Sequence, residues 1–196
     1  HADVTSENQQ LARDAMAEIE AVAFVDFVPR QGEANYISIQ DALGNNSSVG
    51  MVGGMQIVNI FNWNVRFIIV HELIHALGVW HEQQRADRDE YITIEWGNIE
   101  AGKEHNFTIP SGAEENCPKP VGPYDFDSIM HYFACAFTKC TTCAAANANC
   151  RTMTAQPPYY AQWQNAMGQQ NHLSVGDMDL LADLYPNQSV WTSILH

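Results

Sequence analysis

The sequence predicts an α+β fold in a single domain, residues 1–196. Two observations lead to this prediction. Candidate helices and strands fill the region up to about residue 78, whereas residues 83–125 are polar and contain scattered glycine and proline. A final helical segment at 173–185 ends the chain. We therefore expect a regular N-terminal lobe, about 1–78, and an irregular C-terminal lobe, about 79–196, that carries a closing helix.

The first predicted helix covers residues 6–23, with Ser6 or Asn8 as its cap. Its apolar side chains recur at helical spacing on one face: Leu11, Ala15, Ile19 and Val22. Strands follow at 24–28, ended by Pro29, and at 36–39. A strand region at 49–60, broken by Gly53-Gly54, follows the turn-rich segment 44–48.

A second helix is predicted to begin near Asn62 or Asn64 and to run to about Leu77. It is apolar nearly all round, which is typical of a helix buried at the centre of a molecule. A buried helix holds its side chains rigidly, as a metal site requires.

Residues 71–88 read HELIHALGVWHEQQRADR and contain the strongest functional signal. His71 and His75 are four residues apart, so a helix places both imidazoles on one face, close enough to share a metal ion. Glu72 lies about 100° round the helix and can reach a water on that metal. Gly78 allows the helix to end, after which His81 can bind the same ion.

Three neutral imidazoles plus one water match a catalytic zinc site, which keeps an open position. Gly78 and His81, at fixed spacing after HExxH, make a chance match improbable. The motif therefore predicts one catalytic Zn²⁺ bound by His71, His75 and His81. Glu72 is the candidate general base for a zinc-bound water that attacks the substrate.

Composition excludes several classes of protein. Nine basic and 23 acidic residues give a formal charge of −14, which argues against nucleic acid as a partner. No apolar run approaches the length of a membrane-spanning helix, so we expect no membrane insertion. The N-terminus is polar and shows no signal peptide, so a secreted form would be a processed one.

Five cysteines crowd into the second half of the chain, at positions 117, 135, 140, 143 and 150. Such crowding predicts disulfides in an exported protein, and the simplest count is two bridges and one free thiol. Cys140 and Cys143 also have the spacing of half a structural zinc site, but no second pair completes it.

The extended motif HExxHxxGxxH resembles the metzincin zinc metallopeptidases, and further segments narrow the resemblance to the bacterial-type members of the astacin family. These segments are Glu82 after the third histidine, Arg85-x-Asp87-Arg88-Asp89, the turn Ser128-Ile129-Met130-His131-Tyr132, Phe27-Val28-Pro29-Arg30, Leu173-Ser174 with Asp177, and Leu184-Tyr185-Pro186. Together they cover nearly the whole chain.

This resemblance implies a zincin-like fold, with a mixed twisted sheet and long helices in the N-terminal lobe and an active-site cleft between the lobes. It implies a secreted zinc endopeptidase that cleaves extracellular proteins and is made as a zymogen with an N-terminal pro-segment. We expect a monomer. The resemblance also implies a strand before the first helix, which is missing from these residues.

Roles for individual residues also follow from the resemblance. Tyr132 would ligate zinc in the resting enzyme and stabilise the oxyanion during catalysis. Met130 would pack beneath the ligands as support, and Glu82 would face a new N-terminus, with Arg85 or Arg88 as another possible partner. Residues 55–60 would form the edge strand that pairs with substrate, so the substrate-binding candidates are Met55, Gln56, Ile57 and Val58.

Asp177 has two interpretations, a metal ligand or the second member of a capping box with Ser174, and the spacing favours the capping box.

The alternative to a zinc endopeptidase is a non-catalytic binding module stabilised by zinc and disulfides. A third hypothesis is a zinc hydrolase that acts on substrates other than peptides. Glu72 and Tyr132 argue against a purely structural site, which would need neither.

Overall fold

The computed structural model describes residues 4–110 and 121–195. Their helices are Ser6–Glu20 (α1), Arg66–Ala76 (α2), Tyr160–Trp163 (α3) and Val175–Leu184 (α4). Their strands are Val25–Pro29 (β1), Tyr36–Asp41 (β2), Asn46–Ser47 (β3), Met55–Ile60 (β4), Ile92–Ile94 (β5), Met153–Ala155 (β6) and Ser189–Leu195 (β7). The chain divides into two compact units, His1–Val79 with Met178–His196, and Trp80–Asp177.

A five-stranded mixed sheet forms the frame of the first unit, with strand order β1-β7-β2-β4-β3. The first four strands in this order run parallel, and β3 is antiparallel to β4. Strand β7, which lies between β1 and β2, is not among the predicted strands. Its residue Ser193 aligns with Pro29 on one side and with Ile37 on the other.

The two edge strands of this sheet are β1 and β3, so the prediction that residues 55–60 form the edge strand is wrong. Asn46 aligns with Asn59, and Ser47 with Val58, which places β4 between β2 and β3. Strand β3 lies within residues 44–48, for which the sequence predicts a turn because asparagine and serine are poor strand formers. Strand β3 spans only two residues, and its register leaves 55–57 beyond its reach.

Helix α1 buries Ala15 and Ile19 of the predicted face, together with Ala12, whereas Leu11 and Val22 are only half-buried. Its cap differs from the prediction of Ser6 or Asn8. The side chain of Thr5 occupies the N-cap and accepts a hydrogen bond from the Asn8 amide at 3.2 Å.

Helix α2 is buried as predicted, but it begins later than Asn62 or Asn64, and no side chain of the described residues caps it. The carbonyl of Asn62 accepts from Val65 N, and its side chain is bonded to Asn45. At the other end, Gly78 has φ +109°, which confirms that a glycine is needed where the chain leaves the helix. The His75 carbonyl there accepts from the amides of Gly50 and Gly78, both at 2.9 Å.

The second unit contains short 3-10 turns and a two-stranded antiparallel sheet of β5 and β6. Its core is a cluster of buried apolar side chains, including Ile92, Phe107, Phe126, Ala134 and Met153.

Among the described helices of the molecule, none is long and apolar enough to cross a membrane.

Two disulfides join Cys135 to Cys143 and Cys140 to Cys150. The predicted number of bridges is therefore correct. The alternative of a structural zinc at Cys140 and Cys143 is wrong, because both sulfurs are consumed by disulfides. Cys117, the remaining candidate for a free thiol, lies outside the described residues.

Candidate metal centre

Three imidazoles converge as the sequence predicts. The ligand nitrogens of His71, His75 and His81 all lie within 4.8 Å of one another, so they can hold one metal ion. The rings of His71 and His75 are edge to face, with centroids 4.6 Å apart, because α2 places them one turn apart on one face. His81 follows the break in the helix at Gly78.

His75 is prepared to act as a neutral ligand. Burial, assisted by the neighbouring His71, lowers the pKa of its imidazole to about 3. The Val79 carbonyl lies 2.7 Å from His75 Nδ1. A carbonyl can only accept, so Nδ1 carries the proton and the lone pair lies on Nε2.

Glu72 is 5% exposed, and its Oε2 has no hydrogen-bond partner among residues 4–110 and 121–195. Burial raises the pKa of its carboxyl to about 8. A carboxylate oxygen without a partner is costly inside a protein unless a cation or water completes its surroundings. A divalent cation held by the adjacent histidines would stabilise the ionised form, so the residues present fit a metal ion.

Tyr132 lies beside the third histidine. Its ring centroid is 4.4 Å from that of His81, with the planes inclined at 56°. The side chain is half-buried, and its main-chain amide donates to Gln83 Oε1 at 3.1 Å. The rings of Tyr132 and His81 are therefore in contact.

Met130 and Glu82 are neighbours in the second unit. Met130 is buried, and its carbonyl accepts from the Glu82 amide at 3.0 Å. The Glu82 carboxylate accepts from Arg85 Nη1 at 3.1 Å and from Asp125 N at 2.8 Å. Burial raises its pKa to about 7, although both partners act in the opposite direction. Of the two expected arginine partners, Arg85 is the one that pairs with Glu82.

Asp177 is the second member of a capping box with Ser174, which is the interpretation that their spacing favours. Its amide donates to Ser174 Oγ at 2.9 Å, and its carboxylate accepts from Ser174 N at 3.0 Å, which completes a capping box. The same carboxylate accepts from Ser128 Oγ at 2.6 Å and from Ile129 N at 2.9 Å. The cap therefore also anchors the methionine-containing turn.

The four substrate-binding candidates differ in their exposure to solvent. Met55 and Ile57 are exposed, whereas Gln56 and Val58 are buried. The Gln56 side chain accepts from Val52 N at 3.2 Å and donates to the Ser48 carbonyl at 3.4 Å. It therefore fixes the preceding loop.

A comparison with known protein families shows which family the chain belongs to. The model of the family Astacin (Peptidase family M12A) matches residues 1–186. The chain belongs to the astacin family. This assignment accounts for the agreement between the zinc motif, the methionine-containing turn and the closing segment, which lie far apart in the sequence.

Solved structures of similar proteins include high choriolytic enzyme 1, a hatching enzyme zinc-protease from Oryzias latipes. Its structure superposes with a TM-score of 0.80 at 30% identity, covering 95% of this chain and 86% of that one. The α+β fold, with its mixed sheet and helices, is therefore that of an astacin-family zinc protease.

Two curated relatives extend the comparison. The astacin-like metalloendopeptidase of Mus musculus is 34% identical over 183 residues, which is 91% of this chain and 38% of that protein. Meprin A subunit beta of Mus musculus is 47% identical over 115 residues, which is 58% of this chain and 16% of that protein. The chain thus spans well under half the length of these two relatives.

Proposed function

We propose that this protein is a zinc-dependent endopeptidase that hydrolyses peptide bonds in extracellular proteins. The observation that carries the proposal is the convergence of His71, His75 and His81 next to a buried Glu72, whose Oε2 has no hydrogen-bond partner in the described part of the chain. A structural zinc site would need no such carboxylate, because structural sites complete their shell with a fourth protein ligand. The proposed catalytic domain comprises the whole chain, 1–196.

Glu72 is the group that accepts a proton and returns it during the reaction. When bound, zinc polarises the scissile carbonyl and lowers the pKa of water toward about 7. Glu72 accepts a proton as the water oxygen bonds to the carbonyl carbon, and it returns that proton to the nitrogen as the C–N bond breaks. The unpartnered Oε2 supports this role, since it leaves an acceptor available inside the site.

Tyr132 has two proposed roles, as a further zinc ligand in the resting enzyme and as a donor to the developing oxyanion. A hydroxyl is suited to the second role because it can donate to charge that appears only in the transition state. The contact between the rings of Tyr132 and His81 supports both roles. Met130 and Glu82 support the site without binding the metal, and their mutual main-chain hydrogen bond is consistent with this role.

Residues Met55, Gln56, Ile57 and Val58 are proposed to contact an extended peptide. The exposed side chains of Met55 and Ile57 favour direct contact, and the short reach of β3 leaves the main chain of 55–57 available on that side. Gln56, whose side chain is buried, would contribute through its main chain, and Val58 through its position in the strand.

An extracellular location is consistent with the two disulfides, which persist in oxidising compartments. The proposed precursor carries an N-terminal pro-segment, and the mature protein is a monomer.

The proposal is tested by hydrolysis of denatured casein, with the zinc content measured in parallel. The parent protein is expected to cleave casein, to lose activity with 1,10-phenanthroline and to regain it with added zinc. Glu72→Gln should keep its zinc and lose at least about 100-fold in rate, the usual contribution of a general base. Glu90→Gln, at an exposed carboxyl, is the matched control. A Glu72→Gln variant as fast as the parent would refute the mechanism.

A further inference from the structure

We propose that Gln84 is a positioning residue that sets the tautomer of the zinc ligand His81. This inference rests on the proposed function only in taking His81 as a ligand. Gln84 belongs to the 3-10 turn Glu82–Gln84, directly after His81, and its side chain is buried. Its Oε1 lies 3.2 Å from His81 Nδ1.

The orientation of the Gln84 amide follows from its other contact. Gln84 Nε2 lies 3.3 Å from the carbonyl oxygen of Thr108. A main-chain carbonyl can only accept, so the NH₂ group must face Thr108 and the amide oxygen must face His81. The amide oxygen can only accept in turn, so His81 Nδ1 carries the proton.

This tautomer leaves the lone pair of His81 on Nε2, where a metal can use it. Outer partners of this kind orient a ligating imidazole and increase its basicity, and their loss typically lowers metal affinity. His75 meets the same requirement with the Val79 carbonyl. His81 lies outside the helix, where a side-chain amide performs this task.

The main chain next to Gln84 and the main chain next to Thr108 are both held by one cation, the guanidinium group of Arg88. Buried Arg88 donates from Nη1 to the carbonyl of Gln83 at 2.7 Å and to that of Phe107 at 2.5 Å. These two residues directly precede Gln84 and Thr108 in the chain. Phe107 is itself fully buried. The distance between the amide and its carbonyl partner is therefore fixed by the fold, as a positioning role requires.

Zinc affinity of the folded protein, measured by competition with a chromophoric chelator, tests the inference. Gln84→Met keeps the side-chain length but removes the acceptor, and we expect zinc to bind about 10- to 100-fold more weakly. Gln84→Glu keeps an acceptor for His81 but loses the donor to Thr108, and it should bind zinc at least as tightly as the parent. Gln156→Met, which removes a bond to Thr93 Oγ1, is the control and should match the parent.

Two results would overturn the inference: parent-like zinc affinity in Gln84→Met, or a Gln84→Glu variant at least tenfold weaker than the parent. The second variant decides the question even if the first fails to fold. Long-range ¹H–¹⁵N spectra of the zinc-loaded protein supply an independent signature, a proton on Nδ1 of His81 in the parent and in Gln84→Glu. Because no substrate is present, a parent that binds no zinc refutes the proposed function, whereas unchanged affinity in Gln84→Met refutes only the role of Gln84.

Discussion

At the scale of single residues, burial determines the chemistry of the site. Burial keeps His75 neutral and raises the pKa of Glu72, and no described residue forms a hydrogen bond with Glu72 Oε2. The sequence allowed us to predict the three histidines because their spacing alone makes them converge. It could not predict Gln84, since its role depends on a carbonyl 24 residues further along the chain.

Replacing Tyr132 with phenylalanine tests the oxyanion role. The variant loses one hydroxyl donor and keeps the ring that packs against His81. We expect zinc content to be unchanged and kcat to fall about 100-fold, the usual cost of one oxyanion donor. Tyr160→Phe, far along the chain in α3, is the matched control. Unchanged turnover in Tyr132→Phe would exclude the hydroxyl from the mechanism.

At the scale of elements, local patterns predicted α1, α2 and α4 to within a few residues, because each combines apolar spacing with an end signal. The predicted cap of α2 is wrong, since Val65 occupies the N-cap position and the side chain of Asn62 is hydrogen-bonded to Asn45. Strands β3 and β6 have two and three residues, too few for an alternating pattern to show. Their existence depends on pairing with distant strands.

The capping box of α4 also secures the methionine-containing turn, which gives Asp177 more weight than an ordinary cap. Asp177→Ala removes the hydrogen bonds to Ser174, Ser128 and Ile129. We expect the free energy of unfolding to fall by about 3 kcal/mol, because hydrogen bonds to charged groups contribute about 1.5–3 kcal/mol each and the cavity partly relaxes. Chemical denaturation of the zinc-loaded protein measures this loss.

Ser174→Ala serves as the comparison for Asp177→Ala. It removes the capping hydroxyl, which also donates to Asp125 Oδ2 at 2.5 Å, and should cost about 1–2 kcal/mol. A loss in Asp177→Ala no larger than this would show that the contacts of Asp177 with the turn contribute nothing.

At the scale of the whole chain, a strand near one end of the sequence completes a sheet built from residues near the other. Strand β7 lies between β1 and β2, and this arrangement could not be predicted because no local signal specifies a partner so distant in sequence. The family resemblance nevertheless predicted the fold class and the mixed sheet correctly, since both follow from motifs that span the chain.

Proline at position 193 tests the importance of β7. Ser193 pairs with strands on both sides, so Ser193→Pro removes a ladder donor in the interior of the sheet. We expect a loss of about 3 kcal/mol or more in unfolding free energy, measured by urea denaturation. Ser193→Ala keeps the main-chain donor and should remain close to the parent. A proline variant as stable as the alanine variant would contradict the position of β7.

X-ray absorption at the zinc K edge of the zinc-loaded protein tests the central claim most directly. We expect a shell of nitrogen and oxygen at about 2.0–2.1 Å, the outer scattering of three imidazoles, and no sulfur. His81→Ala should remove one imidazole from that pattern. A sulfur ligand near 2.3 Å, or an unchanged pattern in His81→Ala, would contradict a metal held by His71, His75 and His81.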